Sequence, residues 1–290
     1  MTRSSLWLIA LLAMVAITRP QAALAAESYD NCTGFITSLP TTVTSQGTWC
    51  LKQDLNTAIA SGNAITVNTN NVTIDCNGYK LGGLSAGAGT GAVGIFAQDR
   101  VNVTVRNCAI RGFFVGVDLY GSAGGGHLVE DNRFDSNTYL GMQVQGDGSV
   151  VRRNLVYATG GTTQASYAMG ILVVYSTDVI DNTVAGVTAP VGSNGQALGI
   201  VVGSQPADLR IVGNRVRGLA ADGSATIEGI VNQSTGRSTI RGNDIVGNAG
   251  TGSVGLACAN NSSQARDNII AGFATGISTC SVDSSNYVGP

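Results

Sequence analysis

Residues 199–218 read GIVVGSQPADLRIVGNRVRG. Gly199 to Gly203 is a short apolar strand, and Ser204 to Asp208, with its proline, turns a corner. Leu209 to Val212 forms a second strand, closed by a tight turn at Gly213-Asn214. Val216 opens a third, which ends at Gly218. A loop then leads to Gly229, where the same phrase begins again. Three short strands in one turn of chain cannot bury an apolar side alone, because each is covered only by an equivalent strand stacked on it.

Outward from this stretch, the glycine phrase recurs at Gly94, Gly116, Gly141, Gly170, Gly199, Gly229, Gly255 and Gly276, every 21 to 30 residues. The Asn phrase keeps step with it, at Asn132, Asn154, Asn182, Asn214, Asn243 and Asn268. A period of this length that carries strands and no helical pattern predicts an all-β solenoid, the parallel β-helix. Parallel crossovers are overwhelmingly right-handed, so the expected hand is right. The repeats allow about eight to nine coils over residues 64–290. Upstream of Ala64 the pattern fails, and residues 26–63 are expected to cap the open core, with Trp49 and Leu51 as plugs.

The ladders fall where such a coil needs them. Three residues before each Asn lie Val129, Val151, Val179, Ile211, Ile240 and Ala265; two residues after lie Phe134, Val156, Val184, Val216, Ile245 and Ile270. Both sets should point inward. The Asn suits a turn position with φ > 0, which it tolerates better than most residues, and stacked Asn side chains can hydrogen-bond from coil to coil. In NVTVRNCAIRG, Cys108 rather than Asn107 takes the ladder slot. Around the slot, Glu130, Asp131, Arg152, Arg153 and Asp181 alternate in sign from coil to coil, which predicts a surface column of ion pairs.

The first residues bear on compartment. Arg3, an apolar run from Leu6 to Ile17 and an Ala23-Leu24-Ala25 site predict a signal peptide over residues 1–25 and a secreted or periplasmic protein. The run is too short to span a membrane, and no second one follows. Removing Arg3 and Arg19 leaves 14 basic residues against 18 acidic, a net charge of −4. That balance argues against nucleic acid as a partner, which would call for a basic stripe. All six cysteines lie beyond the leader, an even number suited to an oxidising compartment. Their spacing suggests Cys32–Cys50, Cys76–Cys108 and Cys258–Cys280, among fifteen possible connectivities. A metal centre is not expected from them, since there is no CxxC and His127 is the only histidine.

The glycine and asparagine phrases resemble the right-handed β-helix repeats of the pectin-lyase-like superfamily, over roughly Ala64 to Val288. The resemblance implies the fold and leaves activity open, because that superfamily includes lyases, hydrolases, epimerases, tailspikes and non-catalytic surface proteins. It also implies that polysaccharide would lie on the outer face of the first strands. Here that face reads Phe96, Asp118, Gln143, Leu172, Val201, Val231, Ala257 and Ser278. The Asn-Thr-Asp, Asp-Asp, Gly-His-Gly and Arg-Ile-Lys motifs of polygalacturonase-like hydrolases are absent, as is the Asp-Pro-His-Glu signature of alginate epimerases. Pectate-lyase-like chemistry would need several aspartates for Ca²⁺ and a basic residue, whereas Lys52 and Lys80 precede the main repeats. Copper-binding β-helix proteins fit by fold, but one His and few Met leave little to ligate copper.

The remaining candidates form one patch. Asp118, Asp147 and His127, the last in the loop GSAGGGHL, are the available catalytic groups, and Tyr120, Gln143 and Gln145 the available substrate contacts. An ordinary solvated face, with His127 as a turn or packing residue, is the plainer account of them. No acid–base pair or metal cluster can be assembled from sequence, so catalysis is not expected; if present, it would be that of a polysaccharide lyase, hydrolase or epimerase. Two functions follow, neither needing a cofactor. One is a protein that binds, or modifies, a polysaccharide. The other is a non-catalytic structural or adhesion module whose strip Leu172, Val201, Val231 and Ala257 docks a protein partner or a second copy.

Overall fold

Three parallel sheets, two of ten strands and one of eleven, build the described residues into a right-handed parallel β-helix. The computed structural model describes residue 29, residues 31–248 and residues 250–290; the expected signal peptide lies outside the described residues. Strands recur in the fixed order first sheet, second sheet, third sheet, and each pairs with its counterpart in the next coil. The first and third sheets hold ten strands each, so nine steps lead from the first rung to the last. In the coil quoted above the strands are Ala197–Val202, Leu209–Val212 and Arg215–Arg217.

All eight repeat glycines lie in the first sheet, in register: Val117 pairs with Ile95 and with Met142, and Ile200 with Ile171 and Ile230. A close approach explains the glycine. A Cβ on Gly199 would strike the carbonyl of Gly229 and lie 2.5 Å from Cγ1 of Val216, the core residue of the third strand. The following residue then drops fully into the core: Ile95, Val117, Met142, Ile171, Ile200, Ile230 and Leu256 are all 0% exposed. The two ladders flanking the Asn slot are equally buried, from Val129 to Ala265 in the second sheet and from Phe134 to Ile270 in the third.

The asparagines form one buried column. Each side-chain oxygen accepts the backbone N–H and the amide of the asparagine one coil earlier, and each amide also donates to a second-strand carbonyl of the preceding coil; Asn154, for example, donates to Asn182 Oδ1 and to Val129 O. The column starts where Cys108 N–H donates to Asn132 Oδ1 at 3.0 Å and ends on Asn286. The left-handed backbone sits one residue earlier than expected. Asp131, Arg153, Asp181, Gly213, Gly242 and Asp267 carry the positive φ, and none of the six asparagines does. The physical reason is the ladder itself: the asparagine keeps ordinary backbone so that its side chain can stack inward, and the preceding residue makes the turn.

That turn residue faces solvent, and ion pairs join two adjacent coils there, while Asp181, the next acid of the expected column, makes none among the described residues. Arg153 pairs with both Glu130 and Asp131 at 2.7 Å, and Arg152 with Glu130 at 2.8 Å. The three disulfides join Cys32 to Cys50, Cys76 to Cys108 and Cys258 to Cys280, the partners that the spacing suggests, and no free cysteine remains. Three disulfides in a chain of this size point to an oxidising compartment. No helix among the described residues is long and apolar enough to cross a membrane.

The segment expected as a cap is itself coil. Gly34–Ile36 and Gly47–Leu51 join the second sheet, Thr41–Val43 the first and Leu55–Asn56 the third. Leu51 is fully buried as expected, while Trp49 packs half-buried against the core edge. The glycine phrase is missing here, and with it the sequence signal.

Candidate functional site

The outer face of the first sheet is built by two columns of each strand. One is the residue before the glycine, and the other lies two after it. Val115, Leu140, Met169, Val201 and Val231 form an apolar cluster separate from the helix core, with Val93, Leu172 and Leu198 packed against it. Asp118 is set into this face. Its strand, Val115–Tyr120, places it between Phe96 on one side and Gln143 on the other. Burial among these neighbours pushes its carboxyl up to about 6, and Oδ1 has no hydrogen-bond partner among the described residues. A buried carboxyl oxygen without a donor is an open position for one.

Both ends of this strand row are aromatic. Phe114 and Tyr139 stack at 4.6 Å, Tyr139 meets Tyr167 edge-on at 5.3 Å, and the two tyrosine hydroxyls hydrogen-bond at 2.8 Å. The loop before Tyr167 holds this row in place by reaching back over earlier coils. Thr162 N–H donates to Thr138 O, Thr163 N–H to Ala88 O and the Gln164 amide to Gly89 O. At the opposite end Tyr120 is 47% exposed, and Gln145 accepts from Gly121 N–H. Four residues separate Phe114 from Asp118, about 13 Å of extended strand. Beside Asp118, toward the N-terminal coils, a groove of about 290 Å³ is lined by Thr66, Phe96, Gln98 and Arg100.

The three catalytic candidates are not brought together. His127 is 3% exposed at the start of the second-sheet strand, where its Nδ1 accepts from Val103 N–H at 3.3 Å, so the neutral ring carries its proton on Nε2. Burial pushes its pKa down to about 4. Asp147 is exposed at a corner and accepts from Ser176 N–H at 3.1 Å, a turn contact. Four residues separate it from Gln143, the ladder neighbour of Asp118, about 13 Å along the strand. Asp118, Gln143, Tyr120 and Gln145 do share one face, on adjacent strands.

A second carboxylate on this face was missed. Glu228, the residue before Gly229, lies between Leu198 and Val254 in the first sheet. Burial raises its pKa, against the hydrogen bond from Gln196. Asp118 is therefore not alone in presenting an acid outward. Seven of the eight residues before the repeat glycines are not ionisable, and the exception was readable in that column. Beside Glu228 lies a groove of about 470 Å³ lined by small polar residues, among them Ser224, Thr226, Asn248 and Ser253. Among the described residues no group of three or more His, Cys, Asp or Glu is placed to hold a metal ion.

No protein-family model matches the chain, and no curated protein sequence does. Solved structures do. The Dettilon tailspike protein superposes with a TM-score of 0.57 at 14% identity, over 88% of this chain and 60% of that one. The A-module of the mannuronan C-5 epimerase AlgE4 of Azotobacter vinelandii gives 0.49 at 12% identity, over 89% and 75%. A mutant tailspike protein of E. coli bacteriophage HK620, in complex with a pentasaccharide, gives 0.46 at 14% identity, over 86% and 60%. The chain thus spans 60% of the length of either tailspike. At 14% identity the likeness to the Dettilon tailspike is one of architecture, and it agrees with the stacked sheets: the chain is a right-handed parallel β-helix protein.

Proposed function

We propose that this protein is exported and binds polysaccharide on the outer face of its first sheet. One observation carries the reading: Asp118 holds an unpartnered carboxyl oxygen on an outward strand row, between an aromatic ring and the Gln143 amide. Sugars combine hydroxyls with apolar ring faces, and this row offers acceptors and amides beside Phe96 and Tyr120. The Phe114–Tyr139–Tyr167 row adds a short stacking surface at the strand entry. The three disulfides and the leader-like first residues support export.

The protein-docking alternative finds less support. Of its apolar strip, Val201 is 4% and Val231 8% exposed, already packed into the cluster on that face. Little apolar area remains there for a partner to cover. The test is affinity electrophoresis of the chain lacking residues 1–25 through gels containing neutral or acidic polysaccharides, with and without Ca²⁺. Retardation by at least one polymer, weakened in Asp118→Ala and Tyr139→Ala, is expected. Migration unchanged by every polymer overturns the reading.

A further inference from the structure

Charge is partitioned around this solenoid. Every Lys and Arg beyond residue 31 lies on the second or third strands or at the corners beside them: Arg106, Arg152, Arg210 and Arg241 on second strands, and Lys80, Arg133 and Arg217 on third strands, are examples. The first sheet and the loops that lead into it contain none. Over 83–98, 112–120, 136–145, 161–174, 189–202, 218–232, 247–258 and 272–278 there is no basic residue. The same segments hold three acids: Asp118, Asp222 and Glu228. Arg100, at the corner beyond Gln98, lines the groove beside Asp118, and its Nη2 donates to Asn68 Oδ1 at 2.7 Å.

Such a face is poorly made for a polyanion. A polymer with a carboxylate or sulfate on each unit would run past Asp118 and Glu228 with no countercharge along the strands, and like charges facing across an interface suppress binding. The hydrogen-bonding groups that are present suit hydroxyls instead: Gln143, Gln145, Gln196, Asn248, and the hydroxyls of Ser224 and Thr226 by the Glu228 groove.

We infer that the polysaccharide taken by the first-sheet face is uncharged, a neutral glycan read through its hydroxyls and ring faces. This rests on the binding proposed above and narrows it to one substrate class. It runs against the uronate polymers that the superfamily resemblance would suggest.

The experiment is titration of the chain lacking residues 1–25 with size-matched dextran, xylan and galactomannan on one side and polygalacturonate and alginate on the other, at low and high salt. A neutral polymer should bind with an affinity that salt leaves unchanged. Both polyanions should bind at least about tenfold more weakly at low salt, the factor that about 1.4 kcal/mol of repulsion produces. In Gln143→Lys, which puts a cation beside Asp118, the gap at low salt should narrow. Tight binding of a polyanion, falling as salt rises, overturns the neutral-glycan inference and leaves polysaccharide binding standing. Binding of no polymer of either kind overturns both.

Discussion

Asn182 Oδ1 accepts two hydrogen bonds from one residue, the backbone N–H and the side-chain amide of Asn154, both at 3.0 Å. The Asn182 amide in turn donates to Val151 O at 2.9 Å and to Asn214 Oδ1 at 3.1 Å. Every interior member of the column is thus acceptor for the coil before and donor to the coil after. With Asn182 only 1% exposed, water cannot replace a missing partner.

Asn182→Ala should therefore destabilise the central coils by about 3 kcal/mol, because it strands a buried N–H and a buried carbonyl at about 1–3 kcal/mol each. Asn286→Ala, at the open end of the column, removes bonds from a partly exposed residue and should cost about 1 kcal/mol. Urea unfolding of the two variants measures the difference; equal midpoints would count against the column as a stabilising device.

For Asp118 the sign follows from its raised pKa. A carboxyl held at about 6 in the fold and near 3.8 in the unfolded chain favours the folded state fully below pH 3.8. That advantage is lost as pH rises through 6, when the buried group must ionise. Asp118→Asn should leave stability at pH 3.5 nearly unchanged and raise it at pH 8 by on the order of 2 kcal/mol. Denaturation at the two pH values checks this; equal effects would place the carboxyl in a solvated setting.

How much of this was legible depended on which residues repeat. The glycine and asparagine phrases recur at every rung, so the sheets, the inward ladders and the placement of Cys108 in the Asn slot could be read directly. The turn residue could not: Asp131, Arg153, Gly213 and Asp267 share a backbone conformation across an acid, a base and a glycine. Asn had seemed the natural owner of positive φ, and tertiary stacking overrode that preference. Glu228 and the Phe114–Tyr139–Tyr167 row escaped for a related reason. They depend on which columns face outward around a glycine that lets two consecutive residues turn inward, and strict alternation does not describe such a strand. The loop carrying Tyr167 reaches three coils back to Ala88, a contact with no periodic trace.

His127 gives the opposite pH dependence. Its pKa falls from 6.5 to about 4 because burial disfavours the charged ring. A depressed folded pKa means that stability is complete above pH 6.5 and is lost as pH falls toward 4, because the unfolded chain takes up the proton first. The expected slope between pH 6 and 5 is up to about 1.4 kcal/mol per pH unit. Asp118 contributes a slope of opposite sign over the same range, so the comparison is made in the Asp118→Asn background, where adding His127→Gln should remove the His127 slope whatever the variant's baseline stability. As the only histidine, its imidazole protons can also be followed by NMR in the intact protein. A titration midpoint near 6.5 in the folded state would place the ring in solvent instead of against Val103.

The last prediction concerns turnover. Asp118 and Glu228 are the two carboxyls that burial has prepared on the first-sheet face, and Asp118, at about 6, has a pKa suited to giving and taking a proton near neutrality. Hydrolysis of a glycosidic bond takes two such groups about 5–9.5 Å apart, flanking one bond. From the strand of Gly116 to that of Gly229 there are four coil steps, through Gly141, Gly170 and Gly199. At about 4.8 Å per step, Asp118 and Glu228 are about 19 Å apart along the axis, too far to serve one bond. The Asp118 side lacks a substitute, since Asp147 holds a corner and the His127 ring is engaged inside the second sheet. The protein should therefore release no new reducing ends from a neutral polysaccharide that it binds, assayed between pH 5 and 8. If ends do appear, Glu228→Gln should leave the rate at Asp118 unaltered. Loss of turnover in Asp118→Asn and in Glu228→Gln alike would mean that the two carboxyls act on one bond, which this spacing does not permit.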